Sequence, residues 1–120
     1  MKIQWKKEAK ITDEYGCAFR RMYPWQGYAN TQWGSAWANI APGTNTTEHG
    51  HDEEETFIIV SGEGEMTVDG ETKEVSKGDV IYLPPFSHHT LKNTSSTEVL
   101  EMICIWWSGE QKQVKLGAVQ

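Results

Sequence analysis

An all-β fold of antiparallel strands is what this sequence predicts, and three observations carry that expectation. From residue 32 onward, short runs rich in β-branched and aromatic residues recur along the chain. Turns bearing Gly or Pro cut these runs at Pro42-Gly43, Asp69-Gly70, Lys77-Gly78 and Pro84-Pro85. The runs also alternate side chains with the period of two that belongs to strands, or are apolar throughout, as suits a strand held between two layers.

The elements follow in order. Residues 15–23 predict an edge strand, and the aromatic stretch Pro24-Trp25-Gln26-Gly27-Tyr28 predicts a loop that packs on the fold rather than covering a mouth. Residues 33–40 alternate, with Trp33, Ser35, Trp37 and Asn39 on one face and Gly34, Ala36, Ala38 and Ile40 on the other. A polar turn, GTNTTE, occupies 43–48. Residues 56–60 are apolar on both faces. Segments 65–68 and 72–75 flank Asp69-Gly70, the strongest short hairpin signal in the chain. Residues 80–83 form a strand between Gly78 and Pro84, and NTSST at 93–97 is a turn. The last strand, 99–107, sets Leu100, Met102, Cys104 and Trp106 opposite Glu101, Ile103, Ile105 and Trp107.

At 120 residues the chain is expected to form one domain, 1–120, with a core of useful size. No repeat and no linker stands out. The formal charge of −6 argues against nucleic acid or an anionic membrane surface as a partner, because both would repel the chain. Arginine occurs only at Arg20 and Arg21, so a substrate with several phosphates would find little guanidinium, although one carboxylate could be met by either residue. The N-terminal MKIQWKKEAK lacks the apolar run of a secretory signal, and no segment approaches the length of a spanning helix, so a cytoplasmic location is expected. Cys17 and Cys104 are read as small apolar residues in a reducing compartment. Cys17 has no base nearby in sequence that would make it a catalytic thiol.

All four histidines fall in two short clusters, His49 with His51 and His88 with His89. His49 and His51 are separated by one residue, so on extended chain both imidazoles project into the same space. Glu55 could return to them along an extended chain or across a tight turn at 52–54. His89 would close a four-ligand site from far along the sequence. Three neutral nitrogen donors and one carboxylate suit a divalent first-row transition ion, with Zn, Fe, Mn, Ni, Co and Cu all open. For an HxH taken alone, polar loop residues would be the better reading.

The wider frame resembles the cupin superfamily. Its first motif, G-x5-HxH-x3,4-E-x6-G, is matched by Gly43, His49, His51, Glu55 and Gly62, and its second, G-x5-PxG-x2-H-x3-N, by Gly78, Pro84, His89 and Asn93. Phe86 departs from the pattern, standing where glycine is usual, and a bulky residue adopts positive φ only at a cost. The motifs span 43–93. The resemblance implies a double-stranded β-helix, or jelly-roll barrel, with His49, His51, Glu55 and His89 as ligands of one metal ion, turn roles for Gly43, Gly62, Gly78 and Pro84, and for Asn93 either a structural role or a place behind the ligands. It also favours a homodimer.

Among the remaining residues, Glu53 and Glu54 are assigned to solvent, and His88 to an exposed position or one behind the ligands rather than to a fifth ligand, since neighbours on a strand face opposite ways. Trp33 and Trp37 share one face and would line a substrate site if that face looks inward. Trp106 and Trp107 cannot both point inward, so one of them is expected to meet a partner subunit. Tyr82 is the candidate proton donor if it points inward, against a packed role. The leading expectation is an enzyme acting on a small molecule in the barrel, with the ion as Lewis acid or redox centre; by the resemblance, dioxygenase, isomerase and lyase chemistries are all open. A narrower similarity, over HDEEETFIIVSGEGEMTVDGE and GDVIYLPPFSHHTLKN, is to zinc cupins that form hydrazines with a methionyl-tRNA-synthetase-like partner protein. A third expectation is a binding or sensor module in which the ion only anchors a ligand.

Overall fold

The computed structural model describes residues 1–108, so the expected domain 1–120 extends over 109–120, which lie outside the described residues. Nine strands follow a single 3-10 turn: β1 (Thr12–Glu14), β2 (Cys17–Tyr23), β3 (Trp33–Ile40), β4 (Glu54–Ser61), β5 (Glu63–Val68), β6 (Glu71–Ser76), β7 (Val80–Leu83), β8 (His89–Asn93) and β9 (Leu100–Trp107). They form a six-stranded sheet in the order β1-β2-β3-β9-β4-β7 and a three-stranded sheet in the order β6-β5-β8. Every pairing is antiparallel. Two sheets packed face to face in this way make the jelly-roll that the family resemblance implies. Among the described residues no helix is long and apolar enough to cross a membrane.

Alternation decides what lies between the sheets. Along β4, Glu55, Phe57 and Ile59 are buried while Thr56, Ile58 and Val60 are half-buried on the outer face. Along β9, Leu100, Met102 and Cys104 point inward, and on β3 the inward set is Gly34, Ala36, Ala38 and Ile40. With Phe19, Met66, Leu83 and Leu91 these residues make one apolar core. Asn93 is fully buried with its amide satisfied: Nδ2 donates to the carbonyls of Ile40 and Glu98, and Oδ1 accepts from the Ser95 N–H. It therefore anchors the 93–98 turn to the end of β3.

The hairpin at Asp69-Gly70 is present, with both residues at positive φ. The edge strand expected over 15–23 begins at Cys17, as β2, and is not the edge: Tyr15 and Gly16 both take positive φ and turn the chain between β2 and a further short strand, β1, which takes the edge. The aromatic loop closes on itself through the Trp25–Ala29 bridge and does not cover the mouth of the cavity described below.

Candidate metal centre

Strand register brings His49 and His89 together. The segment 45–49 runs antiparallel beside β8, with Thr46 N–H donating to the Leu91 carbonyl and His49 and His89 exchanging backbone hydrogen bonds of 3.3 and 3.0 Å. Directly opposed residues of an antiparallel pair project to the same face, so the two imidazoles lie side by side with ring centroids 4.4 Å apart. Glu55 reaches them from the inward face of β4. Of the two routes open to Glu55, the chain takes the bend: His51 Nδ1 lies 3.0 Å from the Glu53 carbonyl across it. One ligand atom from each of His49, His51, Glu55 and His89 falls within 4.8 Å of all the others, so the group could hold a metal ion.

Hydrogen bonding fixes which nitrogens face that point. His49 Nδ1 is 2.8 Å from the Thr47 carbonyl and His51 Nδ1 is 3.0 Å from the Glu53 carbonyl. A carbonyl oxygen only accepts, so each Nδ1 carries the proton and a neutral ring presents its Nε2 lone pair. His51 Nε2 then lies 3.1 Å from Glu55 Oε1, and His89 Nε2 lies 3.5 Å from the same oxygen. A lone pair facing a carboxylate oxygen at 3.1 Å is repulsive unless a cation, proton or metal, sits between them. His89 is 1% exposed, and neither of its nitrogens has a hydrogen-bond partner. A buried imidazole with two unmet nitrogens is costly, and coordination through Nε2 removes the part of that cost that belongs to this nitrogen. The donor set therefore fits a divalent transition ion, with the Thr47 and Glu53 carbonyls orienting the ligands from behind. Burial pushes the pKa of His49 down, against the opposing pull of the Thr47 carbonyl, which favours the neutral ring a metal needs.

The group opens into a cavity of about 110 Å³. Its walls are apolar where β2, β4 and β9 meet, at Phe19, Phe57, Met102 and Trp106, and carry Tyr15, Arg21 and Glu53 besides the ligands. Tyr15 stacks on His49 with centroids 4.8 Å apart and planes 25° from parallel, and Phe57 meets His89 edge-on at 5.7 Å. Both rings limit how far the imidazoles can turn. Cys17 and Cys104 also line the cavity, but neither is a reactive thiolate. Burial, then Asp13 and Glu14, push Cys17 up to about 11, and burial, then Glu55, pushes Cys104 up as well.

Several expectations are corrected. Trp33 and Trp37 do not line this cavity: Trp37 donates its indole N–H to Glu101 at 2.8 Å on the outer face, and Trp33 is exposed. The small residues of β3 face inward instead, and Trp106 of the neighbouring strand lies over Gly34, where any side chain would meet it. Tyr82 also points outward, 54% exposed, donating to Glu54 at 2.6 Å, a bond that raises its hydroxyl pKa and leaves it outside the cavity. Glu53, assigned to solvent, lines the cavity; Glu54 is half-buried and accepts from Tyr82 and from the Trp107 indole. Of the tryptophan pair, Trp106 points inward. His88 is exposed on the opposite side of the strand from His89. Tyr15, Phe19 and Arg21 were not legible as site residues. The alternation Cys17, Phe19, Arg21 was a signal, but nothing in sequence says that β2 curls over the histidines.

Phe86 carries the turn that glycine normally makes. It takes φ +65 between Pro85 and Ser87, whose N–H and hydroxyl both donate to the Pro84 carbonyl, while Phe86 N–H donates to the His51 carbonyl at 2.6 Å. The turn, and its grip on the ligand segment, thus survive the departure from the motif. Its ring is 73% exposed and gains little packing in return. Phe86→Gly is expected to stabilise the fold by about 0.5–1 kcal/mol, the relief of positive-φ strain less the added freedom of the unfolded chain. Thermal melting should register a rise of roughly 2–4 °C, and a fall would show that the ring is packed after all.

Comparison with known proteins agrees with this geometry. The family model described as Cupin domain matches residues 36–106. An uncharacterised protein of Methanocaldococcus jannaschii is 30% identical over 105 residues, 87% of this chain and 84% of that protein. Among solved structures, a Cupin 2 conserved barrel domain protein from Salinispora arenicola is 33% identical with a TM-score of 0.81, over 92% of this chain and 91% of that one. The plu4264 protein of Photorhabdus luminescens is 32% identical with a TM-score of 0.78, over 99% and 95%. A jelly-roll whose His-His-Glu-His group is supplied by the two spaced motifs, and whose sequence matches this model over more than half its length, belongs to the cupin superfamily.

Proposed function

We propose that this cupin is a mononuclear metal-dependent enzyme acting on a small organic molecule bound in the cavity beside His49, His51, Glu55 and His89. The observation that carries the reading is the juxtaposition of His51 Nε2 and Glu55 Oε1 at 3.1 Å beside the buried, unpartnered His89. Three imidazoles and the carboxylate would hold one ion, which would supply Lewis acidity or a redox couple while leaving room for a further ligand from the cavity side. The chain's own residues do the rest. Phe57 and Tyr15 hold the imidazoles in place, and the apolar wall of Phe19, Met102 and Trp106 keeps water from the ligand's body. Enzymes occur among the relatives: a 5-nitrosalicylic acid 1,2-dioxygenase of Bradyrhizobium is 33% identical over 61 residues, which are 51% of this chain and 30% of that protein.

Protein purified without an affinity tag is expected to carry close to one transition ion per chain by elemental analysis. Iron with substrate-dependent oxygen uptake would select dioxygenase chemistry. Zinc without uptake would select the hydrazine-forming or ligand-sensing alternatives, the former needing its synthetase-like partner. Protein that binds none of Zn, Fe, Mn, Ni, Co or Cu after soaking would overturn the reading. A homodimer belongs to the same proposal, supported by the row of half-buried Ile58, Ile103 and Ile105 on the outer face of the six-stranded sheet.

A further inference from the structure

We infer that the cavity takes a small organic carboxylate and that Arg21 binds its anionic end. The inference rests on the enzyme reading only for the ligand's other end, which faces the four-donor group. Among the described residues that line the cavity, Arg21 is the lone lysine or arginine; the other charged lining side chains are the carboxylates Glu53 and Glu55. Without Arg21 that wall would repel an anion, and a neutral ligand would have no use for a cation there.

The guanidinium is also held ready. It lies over the Phe19 ring at 5.3 Å and the Trp106 ring at 5.4 Å, so its plane is steadied by two aromatic faces. Its one ion pair runs from Nη2 to Glu14 Oε1 at 3.2 Å, with the arginine side chain 44% exposed. An exposed pair of this kind contributes little to stability, so the fold does not require arginine at 21. The remaining N–H groups of the fork are left for a second acceptor, and a carboxylate matches their geometry.

Size and shape narrow the ligand further. A cavity of about 110 Å³ admits one ring or a chain of a few carbons, compared with roughly 150 Å³ for a cavity that holds benzene. Arg21 stands on β2 and Glu55 on β4, with β3 and β9 between them in the sheet. A molecule reaching from one to the other lies across Trp106, its carboxylate at Arg21 and its opposite end toward the histidines.

The test is calorimetric titration of the metal-loaded chain with benzoate, butyrate and pyruvate, and with the three corresponding amides as uncharged partners. At least one acid should bind. Arg21→Met should weaken that acid by about 10–100-fold while leaving its amide within about twofold, and Arg21→Lys should recover only part of the loss, because an ammonium cannot form the fork. A merely structural Arg21 would weaken acid and amide alike, and that result, or the failure of every acid to bind, overturns the inference. Repeating the titration after EDTA treatment, with metal content measured for each variant, separates the two proposals. A chain that takes up none of the six ions on soaking yet binds the acid through Arg21 sinks the enzyme reading and supports this one, whereas an ion-loaded chain that binds acid and amide alike, or no acid, sinks this one alone.

Discussion

His51→Ala and His89→Ala are each expected to strip the protein of its metal, while His88→Ala retains it. Loss of an outer-sphere group alone typically weakens a metal site by about 10–100-fold, so loss of a ligand should do at least that and leave well under a tenth of the wild-type content. The stability consequence follows by mass action. An ion present at a hundredfold excess over its dissociation constant adds about 2.7 kcal/mol to the folded state, and EDTA should remove that increment from wild type and from His88→Ala. In His51→Ala and His89→Ala no increment remains for EDTA to remove. His88 is exposed, its backbone rather than its ring bonding to Asp69, so its replacement should alter stability by no more than about 0.5 kcal/mol. Glu55→Gln keeps the shape and removes the charge, and should weaken the metal without unfolding the barrel. Equal metal loss in all three histidine variants would mean that the pairing of His49 with His89 does not set the site.

The convergence of His49, His51, Glu55 and His89 was legible because spacing and register say the same thing. HxH and the carboxylate four residues on are close in sequence, and only the arrival of His89 depends on tertiary structure. The strand limits were legible where turn chemistry is explicit: 80–83, bounded by Gly78 and Pro84, coincides with β7, and 99–107 differs from β9 by one residue. The wall of the cavity was not. Period-two alternation divides a strand into two faces without saying which is inside. On β3 the sequence left open whether the face of Trp33 and Trp37 looks inward; Gly34, Ala36 and Ala38 occupy the inner face, with the Trp106 indole lying against Gly34. Arg21 was hidden for a related reason. Its place in the cavity comes from the curvature that carries β2 over the histidines, a property of the whole sheet. The turn at Tyr15-Gly16 needed a non-glycine residue at positive φ, which local propensity argues against.

Gly34→Val should close the cavity while sparing the metal. Gly34 pairs with Trp106 across β3 and β9, and a Cβ built on it would overlap Cε2, Cζ2 and Nε1 of that indole. No side chain fits there unless the ring moves. The direction open to it is away from β3, into the cavity it lines with Phe19 and Arg21. Overpacking of this kind costs about 1–3 kcal/mol. None of the four ligands lies on β3, so metal content should stay near wild type while binding of small carboxylates disappears. A double-mutant cycle isolates the cause. Trp106→Ala has its own cost in lost burial, but in that background the valine meets open space, so Gly34→Val should cost at least about 1 kcal/mol less than it does in wild type. If the two costs simply add, the penalty arises in the backbone of β3 rather than at the indole. The contact that shapes the cavity would then lie elsewhere along β9.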